Sequence, residues 1–339
     1  MFALHLAMSL LHGGGPPATF TNPVYAGADP WMVQHGPHYY LCQSENDLGV
    51  SVWKSQRLSD RGRKQVVWRA PQTGWNSRQV WAPELHRLDG RWYIYYAASD
   101  GENANHQMGV LGATTDDPQG PYAELGTLYT GDDVVSGEGN RWAIDGTVLE
   151  LRGRRYFIWS GWPAAADIQF LYVAPLLNPW TTIGNRVRIC GNDDFDWERV
   201  EDDPNRRGLN EAPQVIRHGG RVFIVYSCGA SWLPGYKLGL LYMDEQADPM
   251  VPSNWSKLGR PAFMGDDRVH GAGHASFVKS PDGTQDWIVY HSKRSPQAGW
   301  ERVVWLQPFA WGADDLPDFG SPFPPGEPLP LPSGEIYHP

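Results

Sequence analysis

Cysteine is scarce: the 339 residues hold Cys42, Cys190 and Cys228, far apart and without a Cys-x-x-Cys pair. This spacing excludes a disulfide framework and a cysteine zinc site, and buried free thiols are expected. Basic charge is also short, with 28 Lys and Arg against 38 Asp and Glu and a formal net charge of −10. The longest basic cluster, Arg57 to Lys64, reads as a solvated loop. A nucleic-acid partner needs a concentrated basic surface, so none is expected. No apolar run approaches the ~18–20 residues of a membrane-spanning helix, so no membrane partner is expected either. The apolar start of MFALHLAMSLLHGGGPPATF lacks a preceding basic residue. Residues 1–20 therefore read as an extension that is at most a weak or clipped signal, which leaves the compartment open. Gly-x-Ser-x-Gly, Gly-Lys-Ser/Thr, His-Glu-x-x-His and Gly-x-Gly-x-x-Gly are all missing. Their absence disfavours the hydrolase, nucleotide and metalloprotease chemistries that need them. Helical periodicity is missing as well.

Aromatic residues and turn formers are plentiful: 17 Trp, 15 Tyr, 38 Gly and 29 Pro. Short strands and tight turns follow from such a composition. Trp and Tyr can also serve as platforms for the apolar faces of sugar rings. One pattern recurs five times: a polar residue, an apolar segment, a Gly-containing turn, then an aromatic-rich strand. The copies are DPWMVQHGPHYYLCQS, WAPELHRLDGRWYIYYAAS, DGTVLELRGRRYFIWSG, EAPQVIRHGGRVFIVYSC and HASFVKSPDGTQDWIVYHS, starting at Asp29, Trp81, Asp145, Glu211 and His274. With further strand-like stretches between copies, each repeat has room for four strands. That predicts an all-β, five-bladed β-propeller over residues 21–339, its Pro-rich end forming an extended closing tail.

The first strand of each propeller blade lines the central channel, so the five starting residues should converge. Three carboxylates, a Trp and a His in one cavity exceed what packing alone selects, because buried Asp and Glu are costly unless paired or functional. Such a cluster suits glycoside hydrolysis, in which one carboxyl stays protonated to donate to the leaving oxygen and another stays ionised to activate water.

On NPVYAGADPWMV, VWAPELHRLDGRWYIYYAA, AIDGTVLE, LNEAPQVIRHGGRVFIVYS, GAGHASFV and WERVVWLQPFAW, the chain resembles glycoside hydrolase family 43. The resemblance implies Asp29 as general base, Asp145 as modulator of the acid, Glu211 as general acid, and inversion at the anomeric carbon. It further implies Trp81 as a wall of the sugar pocket, Arg302 in the pocket near the acid, and His274 as holder of a hydrated calcium or similar ion on the propeller axis. No cofactor is required for the chemistry. Trp162, Trp232 and Trp300 follow blade strands and are candidates for stacking sugar rings. The polar insertion RICGNDDFDWERVEDDPNRRGLNEAP precedes Glu211 and could build a pocket wall. The motifs look closest to exo-acting α-L-arabinofuranosidases, acting as monomers on plant cell-wall polysaccharides or oligosaccharides. An endo-arabinanase, a β-xylosidase and a non-catalytic carbohydrate-binding propeller are the alternatives.

Overall fold

The segment RWYIYYAAS shows why this chain builds stacked sheets. Successive side chains of a strand point to opposite faces. In Arg91–Ser99, Tyr93, Tyr95 and Ala97 pack toward one neighbouring sheet, and Trp92, Ile94, Tyr96 and Ala98 toward the other. With both faces buried, the strand is continuously apolar instead of alternating.

A computed structural model describes residues 18–137, 139–164, 167–200, 203, 205 and 207–336. It is a five-bladed β-propeller of antiparallel sheets. From the axis outward, blade one is Trp31–His35, His38–Ser44, Gly49–Ser55 and Arg63–Arg69, and blade two is Arg78–Leu88, Arg91–Ser99, Gln107–Ala113 and Tyr122–Thr127. Blade three runs Ala143–Leu151, Arg154–Gly161 and Phe170–Asn178, with Thr181–Thr182 and Val187–Cys190 outside. Blade four runs Glu211–His218, Arg221–Cys228 and Lys237–Asp244, with Ser256–Lys257 and Phe263–Met264 outside. Blade five is His270–Lys279, Asp286–Lys293, Arg302–Trp311 and, outermost, Tyr25–Ala26. Among the described residues, helix is confined to three single 3-10 turns.

Five apolar clusters fill the five interfaces between blades, including the one between blades five and one. The ring is closed by the start of the chain: Tyr25 and Ala26 pair with Val304 and Val303. The repeat pattern gives no hint that blade five takes its outer strand from the other end of the sequence. The Pro-rich tail is extended, as its composition predicts, and Pro328–Pro330 pairs antiparallel with Thr19–Thr21. Thr19 and Phe20, placed in the extension by sequence, are thus part of the closure. The rest of that extension, residues 1–17, lies outside the described residues. All three cysteines are free and buried.

Gly146 packs so tightly that a Cβ there would run into the ring of Phe157. Overpacking of this kind costs ~1–3 kcal/mol. Gly146→Ala is therefore expected to lower the thermal midpoint by several degrees, read by differential scanning calorimetry.

Candidate active site

A matched position near the start of each inner strand has left-handed backbone: Asp29, Ala82, Asp145, Ala212 and His274, with φ between +41° and +53°. Such values are uncommon outside glycine. In blades two to five the pairing of inner and second strands slips at this point, between Trp81 and Glu84, Ile144 and Thr147, Glu211 and Gln214, and Gly273 and Ser276. A bulge bends its strand and re-aims side chains. It lets consecutive residues, such as Ile144 and Asp145, line the same cavity.

This geometry corrects the expected register. Trp81 and Glu211 are not equivalent to Asp29, Asp145 and His274; each precedes the left-handed residue of its blade, which is Ala82 or Ala212. The prolines 30, 83 and 213, each directly after a left-handed residue, carry the signal that would have set the alignment. The displacement separates none of the five residues: Asp29, Trp81, Asp145, Glu211 and His274 line a single cavity of about 780 Å³. Two residues beyond the bulge, matched positions meet again. Glu84 of the Trp-Ala-Pro-Glu motif accepts a hydrogen bond from Gln214 Nε2 and is bonded to His86 Nε2 at 2.8 Å, tying blades two and four together.

Asp29 is surrounded by cationic and polar groups of blade five. Its Oδ1 lies 3.3 Å from Arg302 Nη1 and 3.2 Å from Nδ1 of both His274 and His291. Burial alone would raise the Asp29 pKa; Arg302, His274 and His291 outweigh it and hold the carboxyl well below the usual carboxylate range. Asp145 goes the other way. Burial pushes it up, against the nearby His274, and the negative charges of Glu211 and Asp29 add to the rise. One of its oxygens accepts the Ala212 N–H at 3.1 Å. Burial likewise raises Glu211, to about 7, with Asp29 adding and the Tyr236 hydroxyl and Arg302 opposing. Tyr236 donates to Glu211 Oε1 at 2.8 Å. One cavity thus holds a carboxyl whose pKa is lowered beside two whose pKa values are raised.

Arg302 lines the cavity as expected, but its hydrogen bond goes to Asp29. Its buried Nε has no partner among the described residues. Trp81 is stacked on His106, ring centroids 4.0 Å apart. Trp232 and Trp300 are at the cavity, their centroids 5.3 Å apart, and Trp300 is 64% exposed. Trp162 departs from expectation: it is not a lining residue but lies flat against Trp142 at 4.6 Å, and Trp142 lines the cavity in its place. From the polar insertion, Leu209 reaches the wall, joined by Asp167 from the previous loop. Sequence reasoning missed His291, Tyr236, Trp142 and Asp167. His291 and Tyr236 sit in or beside buried apolar strands with no pattern to mark them; Trp142, three residues before Asp145, was within reach.

The calcium expectation can be tested on the donor set. Calcium takes six to eight oxygen ligands. Here the converging groups are Asp29, His274 and His291, one carboxylate and two imidazoles, and the Asp29 oxygen is already bonded to Arg302. These residues do not fit calcium by direct coordination; a hydrated ion, as the resemblance implies, would be held by them through water.

The family description "Glycosyl hydrolases family 43" matches residues 20–317. The chain is 32% identical over 302 residues to the extracellular exo-alpha-(1->5)-L-arabinofuranosidase of Streptomyces chartreusis, covering 86% of this chain and 88% of that protein. It is also 32% identical over 327 residues to alpha-L-arabinofuranosidase 43 of Humicola insolens, covering 92% of this chain and 65% of that protein. The crystal structure of an alpha-L-arabinofuranosidase from Lactobacillus brevis superposes with a TM-score of 0.82 at 28% identity, covering 91% of this chain and 98% of that one. With a propeller fold, converging carboxylates and a family match over nearly its whole length, the chain belongs to glycosyl hydrolases family 43.

Proposed function

We propose that this chain is an inverting, exo-acting α-L-arabinofuranosidase that releases arabinose from plant cell-wall polysaccharides or their oligosaccharides. The observation that carries this reading is the convergence of Asp29, Asp145 and Glu211 on one cavity, with Asp29 paired to Arg302 and the Glu211 carboxyl bonded only to the neutral Tyr236 hydroxyl among the described residues. The similarity to arabinofuranosidases of bacterial and fungal origin supports the choice of sugar.

Asp29, ionised, takes a proton from the water that attacks the anomeric carbon. Glu211, protonated, gives its proton to the oxygen of the departing sugar as the glycosidic bond breaks. Asp145 holds the Ala212 N–H, next in the chain to Glu211, and so fixes the backbone on which the acid sits. Arg302 keeps Asp29 ionised from a position in the cavity wall. Trp81, Trp142, Trp232 and Trp300 supply apolar faces for sugar rings.

The direct test is turnover of para-nitrophenyl α-L-arabinofuranoside beside linear arabinan, with products separated by size. Free arabinose from both is the expected result. Oligosaccharides from arabinan with the aryl glycoside untouched would instead mean an endo-arabinanase, and no turnover of any arabinoside or xyloside would mean a binding propeller.

Glu211→Ala should lower turnover on arabino-oligosaccharides by ~10²–10⁴-fold, the usual worth of a general acid. The loss on aryl glycosides should be far smaller, since a nitrophenolate departs with little protonation. Equal losses on both would show that Glu211 is not the acid. Activity should also fall as pH rises through about 7, where Glu211 gives up its proton. The Tyr236 hydroxyl stabilises the ionised form of Glu211, so Tyr236→Phe should raise the pKa and move the alkaline limb of the kcat profile to higher pH. A limb that stays in place or moves down would contradict this.

A further inference from the structure

The chain between blade three and Glu211 contributes Glu198 to a buried charge pair with Lys257 of blade four, for which the proposed reaction has no direct use. Glu198, in the single turn Asp196–Glu198, is fully buried. Its carboxylate accepts from Lys257 Nζ at 2.9 and 3.1 Å, from the Tyr226 hydroxyl at 2.7 Å and from Asn210 Nδ2 at 3.1 Å. Lys257 belongs to an outer strand of blade four and Tyr226 to its second strand. Lys257 Nζ also donates to the Gly191 carbonyl and to Asp194, each at 2.7 Å. One carboxylate therefore fastens the segment arriving from blade three onto two strands of blade four.

Replacing a buried ion pair by apolar groups is often neutral or stabilising, because desolvation offsets the attraction. Stability alone is thus a weak account of this pair. What the pair does supply is a fixed place for Asn210, the residue immediately before Glu211. Asn210 is itself fully buried. Its Nδ2 donates to the Gly191 carbonyl at 2.8 Å as well as to Glu198, its backbone N–H to the Gln169 carbonyl at 3.1 Å, and its own carbonyl accepts from Ser160 Oγ at 2.9 Å. Side chain and backbone are gripped from blade three and from the insertion, which the ion pair anchors on blade four. Two residues on, the Ala212 N–H reaches Asp145. Glu211 is therefore held on both sides along the chain.

We propose that Glu198, Lys257 and Asn210 form a latch that positions Glu211 for proton donation to the leaving sugar. The proposal rests on the reading of Glu211 as the general acid. None of the three lines the cavity; they are positioning residues acting through the backbone of Glu211. Proton transfer requires the carboxyl within hydrogen-bond reach of the leaving oxygen, and a displacement of about 1 Å can cost ~10²-fold in rate.

Asn210→Ala cuts the latch while leaving the Glu198–Lys257 pair in place. In the full chain it should lower kcat on arabino-oligosaccharides at least ~10-fold and kcat on a nitrophenyl arabinofuranoside by less than about threefold, because only the first substrate depends on a placed acid. The double variant Glu198→Gln/Lys257→Met leaves no buried charge unpaired, since Asp194 is exposed, and keeps an acceptor for Asn210; it should show the same substrate split with a smaller loss, and it serves if Asn210→Ala does not fold. Equal losses on both substrates, or none on either, would overturn the latch. Wild-type turnover in the same assay, together with Glu211→Ala, judges the acid assignment separately. If the wild type hydrolyses neither substrate, the latch is read from the titration of Glu211 by carbon-13 NMR. A loosened carboxyl gains water and should titrate at lower pH in the folded variant, and an unchanged midpoint would overturn the proposal.

Discussion

Asp29 belongs to blade one, yet every side chain that holds its carboxylate belongs to blade five. Arg302, His274 and His291 reach it across the seam where the ring closes. The same seam is made by Tyr25 and Ala26, a few residues upstream, which complete blade five. Gly27 donates its N–H to the Arg302 carbonyl, and the Asp29 N–H goes to His291 Nδ1. Closing the ring and setting the charge of Asp29 are thus one structural event. A propeller whose first and last blades parted would lose the Arg302 guanidinium that keeps this carboxyl ionised.

The remaining electrostatics follow from what is left over. Blade five offers its positive and polar groups mainly to Asp29, so Asp145 and Glu211 are dominated by burial and by the negative charge of Asp29 itself. Like charges in a poorly solvated cavity cannot all ionise together. Lowering Asp29 while raising Asp145 and Glu211 resolves the conflict, and hydrolysis with inversion needs one ionised and one protonated carboxyl. Ion pairing at Asp29 and desolvation at Asp145 and Glu211 thus set similar side chains of one cavity apart.

Around this centre, much of the buried polarity serves placement. Glu84 ties blade two to blade four beyond the bulges. Glu198 ties the insertion to blade four. Asn210 and Ala212 bracket Glu211 with hydrogen bonds. The apolar clusters between blades resist separation of the sheets but do not by themselves fix where one side chain sits along a strand; directional bonds at the strand heads do that.

Composition and repeat alone determined that this chain is an all-β propeller of five blades, because strands buried on both faces and punctuated by Gly turns leave a period that survives in the sequence. They also brought Asp29, Asp145 and Glu211 to one cavity, since the heads of the inner strands of a ring converge and a slip of one residue keeps a side chain within reach. The tertiary structure decided the rest. Trp81 and Glu211 stand one residue before their expected register because a left-handed bulge, unmarked by side-chain period, interrupts the inner strands of blades two and four at Ala82 and Ala212. Trp142 faces the cavity with Trp162 behind it, because the two indoles stack and only one can be in front. His291 and Tyr236 reach the carboxylates from buried strands or their edges, where a polar residue leaves no pattern of its own. Arg302 pairs with Asp29 because the seam joins ends of the chain that are 273 residues apart, and no local rule links residues at that separation.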